Sequence, residues 1–197
     1  MMNMSFCRPI DTKGRLIILI GMMGCGKTTV GKELSRLTGI PMLDMDSIIE
    51  EQIGKSIPEI FRESGERHFR ALETALLRYI ESSPPFSTSS YIISTGGGVV
   101  CTPINRSILR RLGFVVWLDA SAEVIAERTS RANNRPLLQT EDRLQIISSL
   151  AAKRRPMYQE TAHLCIETSC LEVLPVVDAL HAAATDYFSN PEFASNS

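Results

Sequence analysis

The sequence has no excess of charge of either sign. Its 197 residues carry 21 Lys and Arg against 22 Asp and Glu, which gives a formal net charge of −1. No bulk positive field is therefore present to hold nucleic acid or an anionic membrane surface. We expect neither of these partners, and any anion site has to be a local one.

Cysteine and histidine are too few and too scattered for a disulfide framework or a zinc site. The five cysteines form an odd set without a C-x-x-C spacing, and the chain has only three histidines. Disulfide scaffolds and structural zinc sites need paired or clustered ligands. Reduced thiols instead fit a cytoplasmic protein.

Long apolar runs are also missing. The most apolar stretch, residues 16–23, is much shorter than the ~20 residues that a membrane-spanning helix needs. Basic residues precede it, as in a signal peptide, but cleavage after it would destroy the glycine-rich motif that overlaps it. The remaining composition, 44% hydrophobic and 22% charged, is typical of one globular domain.

Predicted strands alternate with predicted helices along the chain. Strands are expected at residues 16–20, 42–43, 91–94, 114–118 and 163–167. Helices are expected at residues 27–37, 47–53, 58–65, 66–81, 104–111, 122–130, 141–155 and 171–188. The first strand is apolar throughout, as in a strand covered on both faces. The pattern predicts an α/β fold of three layers, with a five-stranded parallel sheet between helices.

Four segments have no periodicity and are expected to lie outside regular structure. They are a flexible lead-in at residues 1–15, a Pro/Ser-rich loop at 82–90, a loop at 131–140 and a flexible tail at 189–197. A single domain, residues 16–188, lies between the two ends. Ser121 and Thr140 are expected to cap the helices that follow them, and Pro156 is expected to interrupt a helix.

A glycine-rich motif follows the first predicted strand and opens the first predicted helix. Residues 21–28, GMMGCGKT, fit the pattern G-x-x-x-x-G-K-[ST] in the context that it requires. The glycines allow backbone N–H groups to surround phosphate oxygens, and the helix adds its positive end. Lys27 is expected to reach the β- and γ-phosphates, and the Thr28 hydroxyl to bind Mg²⁺. We interpret the motif as an ATP or GTP site rather than as a strand–helix turn without a ligand.

The rest of the chain favours a kinase that acts on a small acceptor. No insertion is long enough for a coupling domain, and the guanine-reading motif N-K-x-D is absent. A motor or a GTPase is therefore disfavoured.

Two carboxylates follow the second predicted strand. Asp44 and Asp46 lie at the edge of the sheet where ligands bind, so one could hold magnesium-bound water while the other accepts a hydroxyl proton. Asp46 also precedes a helical pattern, where an N-cap role fits equally well. The residues alone leave both hypotheses open.

Two arginines and a glycine run also have two interpretations each. Arg70 lies four residues after Glu66 and could simply pair with it. Arg154 ends a predicted helix, where a cation complements the helix dipole. The run of Gly96, Gly97 and Gly98 costs conformational entropy, so it indicates close backbone approach to a ligand or to a neighbouring helix.

Together these stretches resemble the shikimate kinase family from about residue 16 to residue 167. The matching stretches are GMMGCGKTTVG, DMD, GERHFRALE, GGG, NRPLL and AKRRPMY, in the family's order and spacing. The resemblance implies a P-loop kinase fold with a mobile lid at about residues 131–140. It also implies transfer of the ATP γ-phosphate to the 3-hydroxyl of shikimate, a step of aromatic amino acid biosynthesis.

The resemblance implies an acceptor site and a catalytic set. Asp46 would contact the ring hydroxyls and act as the base, Arg70 and Arg154 would grip the carboxylate, and Gly96, Gly97 and Gly98 would approach the ring. Asp46, Lys27 and the lid arginine, Arg135, are the implied catalytic residues. Shikimate and ATP are the implied partners, and the chain is expected to be a monomer.

In the nucleotide half, the resemblance implies ATP contacts from the phosphate loop and from two arginines. The implied ATP-binding residues are Gly24, Cys25, Gly26, Lys27, Thr28, Thr29, Arg128 and Arg135, with Arg128 packed against adenine. Mg²⁺ would be bound by Thr28 and, through water, by Asp44. Two positions depart from the family pattern: Cys25 replaces a commoner Ser or Ala, and residues 168–171 lack a proline that often lies near adenine.

Two alternatives remain beside this interpretation. The first is a related kinase for gluconate or a nucleoside monophosphate, although a gluconate kinase would not need the glycine run and two arginines. The second is a non-catalytic nucleotide-binding relative, which predicts the loss of Lys27, Asp46 or an arginine. All of these residues are present.

Overall fold

Strands and helices alternate through a computed structural model, which describes residues 7–130, 143–170 and 172–190. The strands are β1 Leu16–Ile20, β2 Met42–Asp44, β3 Ile92–Ser94, β4 Gly113–Asp119 and β5 Leu164–Glu167. The helices are α1 Lys27–Thr38, α2 Met45–Ile53, α3 Ile57–Ser82, α4 Pro84–Thr88, α5 Pro103–Leu112, α6 Ala122–Thr129, α7 Arg143–Thr161 and α8 Val173–Ser189. Within those ranges, none of the helices has the length and apolar content needed to cross a membrane.

The five strands form one parallel sheet in the order β2-β3-β1-β4-β5. The central strand, β1, is buried at every residue, which explains its continuous apolar sequence. Because all strands run the same way, the segments that follow β1, β2 and β3 meet at one edge of the sheet. The predicted five-stranded parallel sheet is therefore confirmed.

Two elements differ from the prediction near the second and third strands. Helix α2 begins at Met45 rather than at residue 47, because the Asp44 side chain accepts from the N–H groups of Asp46 and Ser47 and caps the helix. The segment 82–90, predicted as a loop, contains the short helix α4. Prolines stand at its first positions, where a missing N–H costs nothing.

Helix α7 runs through Pro156, where an interruption was expected, and ends at Thr161. The guanidinium of Arg110 on α5 donates to the carbonyls of Glu160 and Thr161 at 3.2 Å each. These contacts satisfy carbonyls that a helix end leaves without partners.

The predicted cap of α6 is confirmed, because the Ser121 hydroxyl accepts from the N–H of Val124 at the start of this helix.

The segment before β1 packs against the domain in its described part. Ile10 and Thr12 are buried, and the N–H of Arg8 donates to the carbonyl of Leu37 on α1 at 2.8 Å. The Arg8 guanidinium also pairs with Asp178 on α8 at 3.0 Å. The expected lid at residues 131–140, the Thr140 cap, residues 1–6 of the lead-in and residues 191–197 of the tail lie outside the described residues.

His163, directly before β5, is a partly buried histidine among aromatic rings. Its Nδ1 lies 3.0 Å from the backbone N of Val115, and the rings of Phe114 and Tyr187 pack against it. Burial lowers the pKa of His163 to about 4, and the charge of Arg110 adds to the shift. His163 therefore becomes protonated at a lower pH in the folded protein than in the unfolded chain, where protonation occurs near pH 6.5.

We expect this histidine to make the free energy of unfolding fall as the pH drops from 6.5 towards 4. The contribution of neutral His163 is complete above pH 6.5, because the pKa is lower in the folded state, and it is lost towards pH 4. One proton gives a slope of at most about 1.4 kcal/mol per pH unit, which solvent screening reduces. Urea unfolding of the wild type and of His163→Gln across this range measures the effect. If the free energy of unfolding changed with pH equally in the two proteins, His163 would not be the cause of the pH dependence.

Candidate active site

The glycine-rich segment forms a loop between β1 and α1, as predicted. Gly24 and Gly26 adopt φ values of 77° and 105°, a region that favours glycine. A β-carbon at Gly21 would collide with the carbonyl oxygen of Leu118 at the end of β4. The motif therefore folds into the tight strand–loop–helix turn that its pattern requires.

Lys27 lies back across this loop. Its Nζ donates to the carbonyls of Gly21 at 2.8 Å and Met22 at 2.9 Å, and it lies 3.8 Å from the Cys25 Sγ. The residue is only 8% exposed, so its charge is held at the loop and not in solvent. An ammonium group has three donors: two go to carbonyls and the third to the Cys25 sulfur, a weak acceptor that an anionic ligand could replace.

Oxygen atoms from three elements meet beside the loop. The Thr28 hydroxyl donates to the Oδ2 of Asp44 at 2.9 Å and lies 3.4 Å from the Ser94 hydroxyl. Mg²⁺ prefers such oxygen ligands and is usually completed by water and substrate phosphates. Within the described ranges no group of three or more His, Cys, Asp or Glu side chains could hold a metal. The oxygen set therefore fits a magnesium ion that is shared with a bound nucleotide.

Asp46 lies in the first turn of α2 and is not its cap. The N-cap hypothesis for Asp46 is wrong, because the carboxylate of Asp44 occupies that role. The Asp46 Oδ1 instead lies 2.7 Å from the point where a β-carbon of Gly96 would be. Its carboxylate thus faces the glycine run and lines a pocket that the phosphate loop also lines.

Glu73 on α3 is a buried carboxyl that the sequence did not reveal as part of the site. It is fully buried, its Oε2 accepts from Arg70 at 2.7 Å, and no donor among the described residues reaches its Oε1. Burial raises the pKa of Glu73 to about 7, and the nearby Asp46 adds to the rise while Arg70 opposes it. A Glu three residues after an Arg looks like an ordinary surface pair, so no local signal identified it.

Arg70 lies between two carboxylates. It donates to Glu66 at 2.8 Å, as the spacing predicts, and also to Glu73 at 2.7 Å. Its side chain is only 15% exposed and lines the same pocket as Asp46. The pair with Glu66 therefore exists but is only part of the role of this arginine.

Arg154 is buried in the middle of α7 and not at its end. Because the helix continues for seven more residues, the dipole hypothesis for Arg154 is wrong. The residue is 4% exposed, its guanidinium donates to the carbonyl of Gly97 at 3.3 Å, and it lies 3.8 Å from the Met22 Sδ. A buried arginine beside a cavity is well suited to hold an anionic group of a ligand.

The glycine run after β3 touches three different parts of the site. A β-carbon at Gly96 would meet Asp46 and Glu73, and one at Gly98 would collide with the guanidinium of Arg70. The corresponding position at Gly97 lies 3.1 Å from the backbone N of Met23 in the phosphate loop. The predicted close approach is confirmed, and it involves both the loop and α3.

The opposite end of the pocket is bounded by Arg128 and Thr168. Arg128 donates to the carbonyl of Thr168 at 2.9 Å, and the buried Thr168 hydroxyl lies 2.8 Å from the carbonyl of Asp119 and 3.1 Å from that of Cys25. These contacts connect the segment after β5, which has no proline at residues 168–171, to the phosphate loop.

One cavity of about 940 Å³ extends from Arg128 and the phosphate loop to Asp46 and the glycine run. It brings together every predicted site residue that the structure describes: Gly24, Cys25, Gly26, Lys27, Thr28, Thr29, Asp44, Asp46, Arg70, Gly96, Gly97, Gly98, Arg128 and Arg154. Arg135 lies outside the described residues. Phe61 and Phe69, whose rings are 5.0 Å apart, also line the cavity, although the sequence pattern assigned neither of them to the site.

Known proteins match this chain along most of its length. A family model described as shikimate kinase matches residues 23–184. A shikimate kinase from Xanthomonas campestris pv. campestris is 41% identical over 155 residues, which are 79% of this chain and 83% of that protein. One from Acinetobacter baylyi is 44% identical over 153 residues, 78% of this chain and 82% of that protein.

A solved structure agrees with these sequence matches. A shikimate kinase from Acinetobacter baumannii in complex with shikimate has a TM-score of 0.79 and 39% identity, and the match covers 89% of this chain and 94% of that one. The predicted P-loop kinase fold is thereby confirmed. By its family match, its relatives and its fold, this chain belongs to the shikimate kinase family.

Proposed function

We propose that this chain transfers the γ-phosphate of ATP to the 3-hydroxyl of shikimate, which yields shikimate 3-phosphate and ADP. The observation that carries the proposal is the continuous cavity, in which the phosphate loop faces a carboxylate and two arginines. A phosphoryl donor and a carboxylate-bearing acceptor can therefore occupy one continuous cavity. Such positioning accounts for much of the catalysis of phosphoryl transfer.

The acceptor half recognises charge at one end of the ring and hydroxyls at the other. Arg70 and Arg154 hold the shikimate carboxylate, because planar guanidinium groups can bind a carboxylate with two parallel hydrogen bonds. Asp46 contacts the ring hydroxyls and accepts the proton of the attacking one. Gly96, Gly97 and Gly98 leave room for the ring, and Phe61 and Phe69 supply an apolar wall.

The nucleotide half holds the phosphates and the base. Gly24, Cys25, Gly26 and Thr29 surround the phosphates, Lys27 donates to their β- and γ-oxygens, and Arg128 packs against adenine. Thr28 would hold Mg²⁺ directly, and Asp44 would hold it through water. The metal ion would neutralise charge on the transferring phosphoryl group.

Arg135 completes the proposed catalytic set. It lies outside the described residues, so its role follows from the family pattern alone. A lid arginine would place a further cation near the developing charge, and closing the lid would exclude water. We propose in addition that the chain acts as a monomer in the cytoplasm on small molecules, without a nucleic-acid or membrane partner. The five free cysteines fit a reducing compartment.

An assay of ADP release with four acceptors tests the function. We expect release with shikimate and none above background with quinate, gluconate or AMP. Release with gluconate or AMP but not with shikimate would instead support a related small-molecule kinase. No release with any acceptor would support the non-catalytic alternative.

Replacing either arginine with lysine tests the carboxylate grip. We expect Arg70→Lys and Arg154→Lys each to raise the KM for shikimate about tenfold or more, because a charge-assisted pair contributes about 1.5–3 kcal/mol. The KM for ATP should change little. The exposed Arg62 on the same helix as Arg70 provides a matched control, Arg62→Lys. Normal shikimate kinetics with only a lower melting temperature would leave both arginines with a structural role alone.

A further inference from the structure

Tyr158 on α7 is a buried tyrosine that none of the roles above uses. It is 1% exposed, its ring stacks on Trp117 at a centroid distance of 5.6 Å, and its hydroxyl donates to the carbonyl of Gly97. Burial raises the pKa of Tyr158 above its usual range, so the hydroxyl remains a donor at neutral pH. The hydroxyl therefore reaches from α7 to the middle of the glycine run.

Arg154 shares this acceptor with Tyr158. The two residues are four positions apart on α7 and so lie on the same face of the helix. The Arg154 guanidinium donates to the Gly97 carbonyl at 3.3 Å, and a carbonyl oxygen has lone pairs for two donors. Arg154 can therefore break its hydrogen bond to this carbonyl without leaving the carbonyl unpaired, provided that the Tyr158 hydroxyl still donates to it.

Gly97 is also the point where the glycine run touches the phosphate loop. The position of its missing β-carbon lies 3.1 Å from the backbone N of Met23 and 3.4 Å from the carbonyl oxygen of Gly21. A shift of this peptide would therefore disturb the loop or open a gap beside it. Holding the carbonyl from α7 keeps the peptide in place while Arg154 turns towards a ligand.

We propose that Tyr158 is a positioning residue whose hydroxyl holds the Gly97 carbonyl and so frees Arg154 to bind the substrate carboxylate. The inference rests on the proposed function, in which Arg154 grips shikimate. Without the hydroxyl, Arg154 would be the remaining side-chain donor to this carbonyl among the described hydrogen bonds. Each binding event would then have to take the guanidinium away from an acceptor that has no replacement.

Tyr158→Phe tests the proposal because it removes the hydroxyl and keeps the ring on Trp117. We expect the Kd for shikimate from calorimetry, and its KM, to rise about three- to tenfold, since one neutral hydrogen bond is lost. The KM for ATP should stay within about twofold, and kcat should fall less than the affinity. An unchanged shikimate Kd would overturn the proposal.

Tyr187→Phe is a matched control for a loss of stability alone. Tyr187 on α8 is also buried and stacks on Phe114, its hydroxyl accepts from Arg15 at 3.5 Å, and like Tyr158 it does not itself line the cavity. We expect it to lower the melting temperature without changing the shikimate Kd. An equal rise in Kd in both variants would show that the tyrosine effect is general and would contradict the proposal.

A double variant tests whether Tyr158 acts through Arg154. If it does, Tyr158→Phe combined with Arg154→Lys should bind shikimate about as weakly as Arg154→Lys alone. Additive losses would contradict the proposal. The wild-type assay separates the two claims: turnover of shikimate by the wild type with an unaffected Tyr158→Phe variant refutes only the role of Tyr158, whereas a wild type that ignores shikimate refutes the proposed function.

Discussion

The Asp46→Asn enzyme is expected to bind ATP normally and to phosphorylate shikimate about 10²–10⁴ times more slowly than the wild type. The change keeps the shape of the side chain and removes the carboxylate that we propose accepts the hydroxyl proton. Helix α2 should survive, because its cap is Asp44 and not Asp46. Steady-state kinetics with both substrates, together with a melting curve, measure the effect.

The kinetic constants divide the effect of Asp46 between chemistry and positioning. A loose transition state needs little activation of the nucleophile, so part of the loss should appear as a raised KM for shikimate. Glu51→Gln, an exposed change on the same helix, is the control and should be silent. Near wild-type turnover by Asp46→Asn would remove this carboxylate from the catalytic set.

Lys27→Met should lower kcat by about 10²–10³, with a folded protein and an intact shikimate site. The variant keeps most of the aliphatic chain but loses the cation that we propose stabilises charge on the transferring group. It also leaves the carbonyls of Gly21 and Met22 without their lysine donor, so we expect some loss of stability. Turnover numbers measured at saturating MgATP separate catalysis from nucleotide affinity.

Lys32→Met on the same helix controls for the loss of a lysine. Lys32 is exposed on α1, away from the loop, and its replacement should leave kcat unchanged. If Lys27→Met bound MgATP weakly but kept its kcat at saturation, Lys27 would contribute to nucleotide binding and not to the transition state.

The phosphate loop was predictable because its requirements are local. An apolar strand, glycines at fixed spacing and a lysine at the start of a helix are all neighbours in the chain, and the structure places them as expected. The parallel sheet was predictable for a related reason, since alternating apolar strands and helices leave few ways to bury both faces of a sheet. Its strand order appeared only in the structure.

Other features depended on contacts between distant segments. The continuation of α7 through Pro156 goes with an Arg110 side chain some fifty residues earlier that satisfies its last carbonyls. Gly97 and Tyr158 are 61 residues apart, and this separation likewise hides the link between them. Local propensity cannot register such partners.

The sequence by itself determined the fold class, the nucleotide loop and the family, because each depends on residue types in a fixed order along the chain. Only the tertiary structure excluded the N-cap role of Asp46, since the cap on α2 proved to be Asp44. It also excluded the helix-dipole role of Arg154 and showed the buried Glu73 beside the glycine run. The physical reason is that burial, pKa and hydrogen-bond partners are set by groups that converge from different elements, and a linear pattern carries no record of that convergence.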